Sequence, residues 1–352
     1  MGAVASYFAS LSLPGLFARI PAGVAQGLVW GLMALGVYIT FRLLDIADLS
    51  VDGTFSTGSA VVVMLILSGV NPWAATLIAM AAGLVAGTVT GLLHTKLGIP
   101  AILSGILTQY ALYSINLAIM GFKANQAVSV DKYALIISSR TIPKAILTGV
   151  LFSAAIIALL YWFFGTELGS SIRATGCNQQ MAKAQGININ SMKVLGLAIS
   201  NGLVAMAGAL SAQYSGFADV NSGRGAIVIG LAAVIIGEVI GEALLGKHLN
   251  FAGRLAFVVI GGILYYIVYT VVLWLKLDSN LMKLFTAVIV AIFLAVPYLR
   301  GQSKSSFRRA GKDAAASAVE AYDRDPYAWD KPQNTDNAQS AGETDAADKG
   351  VK

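Results

Sequence analysis

Two glutamates stand within one strongly apolar stretch of the sequence, at residues 225–245. Glu238 and Glu242 are four residues apart, so both would lie on the same face of a helix. A carboxylate in a membrane span is costly and is usually either paired or functional. We interpret the two glutamates as partners of Lys247 or Arg254, with proton or substrate handling as the alternative.

Two polar segments precede apolar runs, and each mixes carboxylates with glycines and hydroxyl or amide side chains. The first spans residues 47–58, and the second, at 218–230, repeats it loosely if one inserted residue is allowed. Such residues can cap a helix or line a solute path, and both interpretations stay open. The candidate path or gate residues are Asp48, Ser50, Asp52, Thr54, Asp219, Asn221 and Arg224.

Three uncharged polar side chains lie inside other apolar runs: Gln109, Asn116 and Asn201. In a membrane protein such groups commonly hydrogen-bond between helices. We favour this role for them over contact with a solute.

Metal and nucleotide chemistry have little support in the sequence. Two histidines and one cysteine cannot supply the four Cys/His ligands of a structural zinc site. Residues 241–248 approach a phosphate-binding loop, but His248 replaces the Ser or Thr that contacts Mg²⁺. We therefore expect this chain to bind no cofactor itself.

The elements that must position these residues are membrane helices. The chain is 57% hydrophobic and only 12% charged, against roughly 25% charged residues in a soluble domain. Runs of about 20 apolar residues predict spanning helices. Nine such runs predict an all-α polytopic protein, and they lie near residues 22–41, 54–70, 72–93, 99–120, 145–164, 194–214, 225–245, 255–275 and 282–299.

The two polar segments predict that spans two and seven are broken helices. Spans two and seven are five apart and so cross the membrane in opposite senses, which indicates an inverted repeat. The chain divides into a transmembrane domain at 1–300 and a polar tail at 301–352. Composition predicts that this tail is disordered.

Positive charge sets the expected orientation. The loops within the body hold eight Lys and Arg on each side, so they do not decide it. A basic cluster directly after the last span favours a cytoplasmic C-terminus and an external N-terminus. This cluster is Lys304, Arg308, Arg309 and Lys312.

The largest inner loop, at 165–193, contains a candidate docking element. Residues 178–185 favour a short helix, and Gly186 would end it. The loop motif resembles the coupling loop of permease subunits of bacterial ABC importers of the branched-chain amino acid and ribose type. The matching positions are Arg173, Ala174, Gly176, Asn178, Ala182 and Gly186.

Residues 47–53 and 230–237 are similar to the same family, and the resemblance covers about residues 20–300. Within it, the chain is most similar to single-gene permeases paired with a lipoprotein that binds aromatic or related amino acids. The resemblance implies an importer permease in the bacterial inner membrane, active as a homodimer in the lipid bilayer. Its implied partners are an ABC ATPase, which binds ATP and Mg²⁺, and an extracytoplasmic substrate-binding protein; no nucleic-acid partner is implied.

Two other function classes compete with the importer interpretation. A secondary transporter driven by an ion gradient would use Glu238 and Glu242 as ion sites. A membrane enzyme is the weakest alternative, because the sequence offers no catalytic constellation of carboxylates, histidines or cysteine.

Overall fold

The computed structural model describes residues 13–130, 132–246 and 250–274, together with positions 284, 288 and 291. The predicted tail at 301–352 lies outside the described residues, and so does the predicted span at 282–299 apart from those three positions. Ten α-helices occur in the described part: α1 (Leu13–Tyr38), α2 (Val51–Leu67), α3 (Pro72–Thr95), α4 (Ala101–Ile119), α5 (Ile142–Gly165), α6 (Glu167–Cys177), α7 (Gln179–Ala184), α8 (Ile189–Ser215), α9 (Ala226–Leu245) and α10 (Phe251–Trp274).

Seven helices of the described part are long and apolar enough to cross a membrane, namely α1, α3, α4, α5, α8, α9 and α10. The apolar helix α2 has 17 residues, so it is about 26 Å long and falls short of a hydrocarbon core of about 30 Å. These eight helices match the first eight predicted spans in order.

Helices α1 and α8 form the centre of the bundle. In their most apolar windows 83% and 78% of the residues are buried, against 17% for α5. Helix α5 is therefore peripheral, and its exposed apolar surface suits contact with lipid. Because α8 is buried, polar side chains in its middle need hydrogen-bond partners on other helices.

Small residues let the backbones around α8 approach one another closely. A Cβ atom at Gly83 or Gly87 of α3 would overlap the carbonyl oxygens of Asn201 and Leu197 on α8. Glycines four residues apart lie on one face of a helix, and this spacing is common where membrane helices cross. The contact fixes α3 directly against α8.

The chain between α1 and α2 is irregular. Helix α1 ends in a π-helical turn, Ile39–Leu43. Residues 44–50 follow without regular helix, and Asp45 has a left-handed φ of 54°. We call residues 44–50 the first lead-in segment. The corresponding stretch before α9, residues 220–225, is the second lead-in segment.

One short sheet supplements the helices. Strands β1 (Asn125–Ala127) and β2 (Phe217–Asp219) pair antiparallel, with Gln126 opposite Ala218. No apolar pattern in the sequence predicted these three-residue strands. The sheet joins the loop after α4 to the segment that leads into α9.

Candidate functional site

A buried hydrogen-bond network joins the first lead-in segment to the middle of α8. The Asn201 amide Nδ2 donates to Asp48 Oδ2 over 2.7 Å, and it also donates to the Leu197 carbonyl over 3.0 Å. On the other side of that side chain, the Thr54 hydroxyl donates to Asn201 Oδ1 over 2.7 Å. Ser50 donates to Asp48 Oδ1 from its backbone nitrogen over 2.9 Å and from its hydroxyl over 2.6 Å.

The environment of Asp48 is nearly free of solvent, since the residue is only 2% exposed. Hydrogen bonds from Ser50 and Asn201 satisfy both oxygens of the Asp48 carboxyl group. From sequence we placed Asp48 at the membrane entrance. The structure instead places it beside Asn201, about halfway along α8, because the lead-in segment folds back into the bundle.

Asp52, in the first turn of α2, caps the start of α9. Its carboxylate accepts hydrogen bonds from the backbone nitrogens of Gly225 and Ile227, each over 2.9 Å. A negative charge at this position also compensates the positive end of the α9 dipole. The two broken helices therefore meet at their N-terminal ends, and Asp52 joins them.

The second lead-in segment packs tightly against the same turn of α2. A Cβ at Gly223 would overlap the Asp52 carbonyl oxygen, and the Gly223 nitrogen donates to Ser56 Oγ over 3.0 Å. Within the turn, Asp219 Oδ1 accepts from the Asn221 nitrogen over 2.6 Å. Asp219 and Asn221 thus shape the turn.

An open cavity of about 640 Å³ lies beside this junction. Asp52 and Arg224 bring a carboxylate and a guanidinium to its wall, and α4 supplies the opposite wall. The lining residues are Asp52, Gly53, Ser56, Ile106, Gln109, Tyr110, Tyr113, Asn116, Val220 and Arg224. Of the seven predicted path residues, the structure brings Asp52 and Arg224 to this cavity.

The remaining predicted path residues lie close to the junction but do not line the cavity. Asp48, Ser50 and Thr54 belong to the buried network behind it. Their positions suit a role in holding the lead-in segment in place. Contact between them and a solute stays a prediction.

Two of the intramembrane polar residues occupy the cavity wall. Asn116 is fully buried, and its Nδ2 donates to the Gly53 carbonyl over 3.3 Å. Asn116 Oδ1 has no hydrogen-bond partner among the described residues. Gln109 lies at the same wall. Asn116 thus makes the helix-to-helix bond expected of it and also faces the cavity.

Sequence reasoning missed the aromatic part of this wall. Tyr110 and Tyr113 of α4 are 75% and 41% exposed. Gln109, Tyr113 and Asn116 follow the four-and-three spacing of one helix face, so a polar stripe on α4 was the available signal.

Glu238 is paired, but with a different residue from those expected. Arg42 Nε donates to Glu238 Oε1 over 2.9 Å. The expected partner Arg254 lies instead beside Tyr38, and Lys247 is outside the described residues. The sequence analysis did not name Arg42, because this residue of the π-helical turn comes from a distant part of the sequence. Glu242 is exposed.

The loop after α5 forms two helices rather than one. Helix α7 begins after Asn178, whose Oδ1 accepts from the Met181 nitrogen over 3.0 Å. Gly186 follows its end with a φ of 79°. Helix α6 was not predicted, although Thr166 caps it by accepting from the Gly169 nitrogen and Glu167 favours its first turn.

Several of the predicted coupling-loop residues make contacts within the chain. A Cβ at Gly176 would overlap the Leu43 carbonyl oxygen of the π-helical turn. Arg173 Nη2 donates to the Phe164 carbonyl over 2.9 Å, and Arg173 stacks 5.7 Å from the Phe251 ring centre. Ala182 is buried, whereas Met181 is 64% exposed. Ala174 is half-buried, and its carbonyl accepts from Asn178.

Comparison with known proteins finds permease components of transport systems. The family described as the permease component of the branched-chain amino acid transport system matches residues 19–297. The chain is 40% identical over 272 residues to the tyrosine transport system permease protein of Clostridioides difficile, covering 77% of this chain and 89% of that protein. It is 29% identical over 224 residues to an autoinducer 2 import system permease protein of Yersinia pestis, covering 61% and 60% of the two chains.

Proposed function

Because this chain belongs to the family of branched-chain amino acid transport system permease components, we propose that it moves an amino acid or a closely related compound across the bacterial inner membrane. Membership makes the chain a multi-pass membrane protein and the transport subunit of an ABC importer, not an enzyme. As such a permease, it works with an ATPase and a substrate-binding protein. The observation that carries the substrate class is the 40% identity to a tyrosine permease.

The solute path of this proposal runs through the cavity beside the two broken helices. The cavity combines charged, amide and aromatic side chains next to the ends of α2 and α9. Discontinuous helices whose ends meet inside the bundle are a recurrent way to build a solute site in transporters. Movement of either lead-in segment would change the shape of this cavity.

The coupling loop supplies the mechanical link to the ATPase. Gly176 of α6 rests on the π-helical turn, which continues directly into the first lead-in segment. Displacement of α6 would therefore press on Leu43 and Leu44 and shift the segment that contains Asp48. The exposed residues of α7, with Met181 foremost, offer the surface on which an ATPase would dock.

A homodimer completes the proposed assembly. The cavity is open, and Tyr110 in its wall is 75% exposed. A second copy placed against α4 would close the cavity and enclose the solute path. ATP and Mg²⁺ belong to the ATPase subunits, and this chain binds no cofactor of its own in the proposal.

The proposed orientation has an external N-terminus and a cytoplasmic C-terminus. Cys177, which is exposed on the coupling loop, should then resist an impermeant maleimide in intact cells and react after permeabilisation. A Cys177→Ser, Lys123→Cys variant provides the matched control, since residue 123 lies on the loop of the opposite side and should react in intact cells. The reverse pattern of labelling would invert the topology.

The energy source distinguishes the importer from an ion-driven transporter. We expect uptake by the complex reconstituted with its ATPase to persist when ionophores collapse the proton and Na⁺ gradients, and to stop when ATP is removed. Glu238→Gln should retain ATP-driven uptake within about twofold, because partly exposed salt bridges contribute only about 0–1 kcal/mol. Glu242→Gln changes a carboxylate at an exposed position and should retain ATP-driven uptake in the same way.

An ion-driven transporter would give the opposite result. If the isolated chain accumulated solute from an ion gradient without ATP, and Glu238→Gln abolished that accumulation, the secondary-transporter alternative would replace the proposal. The pairing of Glu238 with Arg42 favours the structural role of this carboxylate.

A further inference from the structure

The cavity beside the broken helices carries two opposite charges that do not neutralise each other. Asp52 and Arg224 both line it, yet Arg224 forms no salt bridge among the described residues. Its side chain is exposed. Opposite charges that form no salt bridge with each other on the wall of one cavity are complementary to a molecule that bears both charges itself.

The Asp52 side accepts hydrogen bonds. The Asp52 carboxylate accepts from the backbone nitrogens of Gly225 and Ile227 at the start of α9, and because a carboxylate has about four acceptor positions, it can accept a further donor. The neighbouring Asn116 Oδ1 is a buried acceptor without a partner. A buried amide oxygen left unpaired is unfavourable, and a bound donor group, or water held by it, would satisfy it.

The Arg224 side donates hydrogen bonds. A guanidinium presents five N–H donors in a planar fork that matches a carboxylate in a two-bond arrangement. The rings of Tyr110 and Tyr113 line the same cavity and offer apolar faces. The volume of about 640 Å³ lies within the range of about 300–1,000 Å³ that is typical of small-molecule sites.

We propose that this cavity is a binding site for zwitterionic amino acids, in which Asp52 and Asn116 receive the ammonium group and Arg224 binds the carboxylate. The tyrosine rings then contact the side chain of the amino acid. This inference rests on the proposed function and adds to it a selective site within the permease itself. An amino acid that lacks either charge would leave one wall group without its partner.

The test uses the permease–ATPase complex in lipid nanodiscs without the binding protein, so that selection by that protein does not enter. The probe is a mixture of the twenty common L-amino acids, followed by the amide and the N-acetyl derivative of each one that binds. The wild type should prefer the free amino acid over both derivatives. In parallel, vesicles with the full complex, including the binding protein, report uptake of the same mixture.

Two variants separate the two ends of the site. Arg224→Gln should weaken amino-acid binding about tenfold, which corresponds to one charge-assisted hydrogen-bonded contact, and should erase the preference over the amide. Asp52→Asn should weaken binding to a similar degree and erase the preference over the N-acetyl derivative. Asparagine keeps one acceptor oxygen for the start of α9, so this variant retains one of the two hydrogen bonds that Asp52 accepts there.

The controls remove the same charges from exposed positions outside the cavity. Lys123→Gln and Glu242→Gln should bind the probe as the wild type does. If the full complex imports an amino acid while Arg224→Gln and Asp52→Asn keep wild-type binding and preferences, or if the nanodisc complex binds none of the twenty, the site is wrong and the proposed function stands. If the full complex imports none of the twenty, both are overturned.

Discussion

Replacing Asn201 by Leu is expected to destabilise the membrane body by about 3 kcal/mol or more and to abolish uptake. The leucine removes the amide that donates to Asp48 and the oxygen that accepts from Thr54. Asp48 would then remain buried with a donor missing, and the penalty for a buried charged group exceeds that for a neutral one. The first lead-in segment would lose its attachment to α8.

This prediction is checked by heating the detergent-purified protein and measuring the fraction that stays monodisperse, together with uptake in vesicles. Asn190→Leu is the matched control, because Asn190 is an exposed position in the first turn of the same helix. Equal stability of the two variants would mean that the network contributes little to holding α2 against α8.

Gly176→Ala is expected to uncouple ATP hydrolysis from uptake while leaving insertion into the membrane intact. A single added methyl group would overlap the carbonyl oxygen of Leu43, and overpacking of this kind costs about 1–3 kcal/mol. The π-helical turn or α6 must shift, and that contact is the proposed route of coupling. Uptake should fall strongly, while the complex still hydrolyses ATP without a response to loaded binding protein.

Gly165→Ala provides the comparison, since a Cβ at Gly165 meets nothing within 4 Å. Both variants add the same methyl group near the same end of the bundle. Normal coupling in Gly176→Ala would show that the contact between α6 and the π-helical turn does not transmit motion.

The membrane body could be predicted from sequence because its signal is local. An apolar run long enough to span appears in any window of the sequence, so eight predicted spans match α1 to α5 and α8 to α10. The irregular segments before α2 and α9 were also visible, through their glycines and carboxylates. Resemblance in the coupling loop identified the family, which residues 19–297 match.

The partners of the polar residues could not be predicted in the same way. The hydrogen bond that Asp52 accepts from Ile227 joins residues 175 positions apart. The ion pair of Arg42 and Glu238 joins residues 196 positions apart. Such pairs depend on how the helices pack, and no local pattern encodes that. The close contact between Gly176 and Leu43 could not be predicted for the same reason.

Residues Asp48 and Asn201 are separated by 153 positions, and this separation imposes an order on biosynthesis. At a synthesis rate of about 5–20 residues per second, the ribosome needs roughly 8–30 s to make the intervening chain. During that interval the amide that holds Asp48 does not yet exist, so the carboxylate cannot be buried at its final depth without a large penalty. Helix α2 therefore settles only after α8 has entered the membrane, and the nascent chain spends this time with its first lead-in segment hydrated.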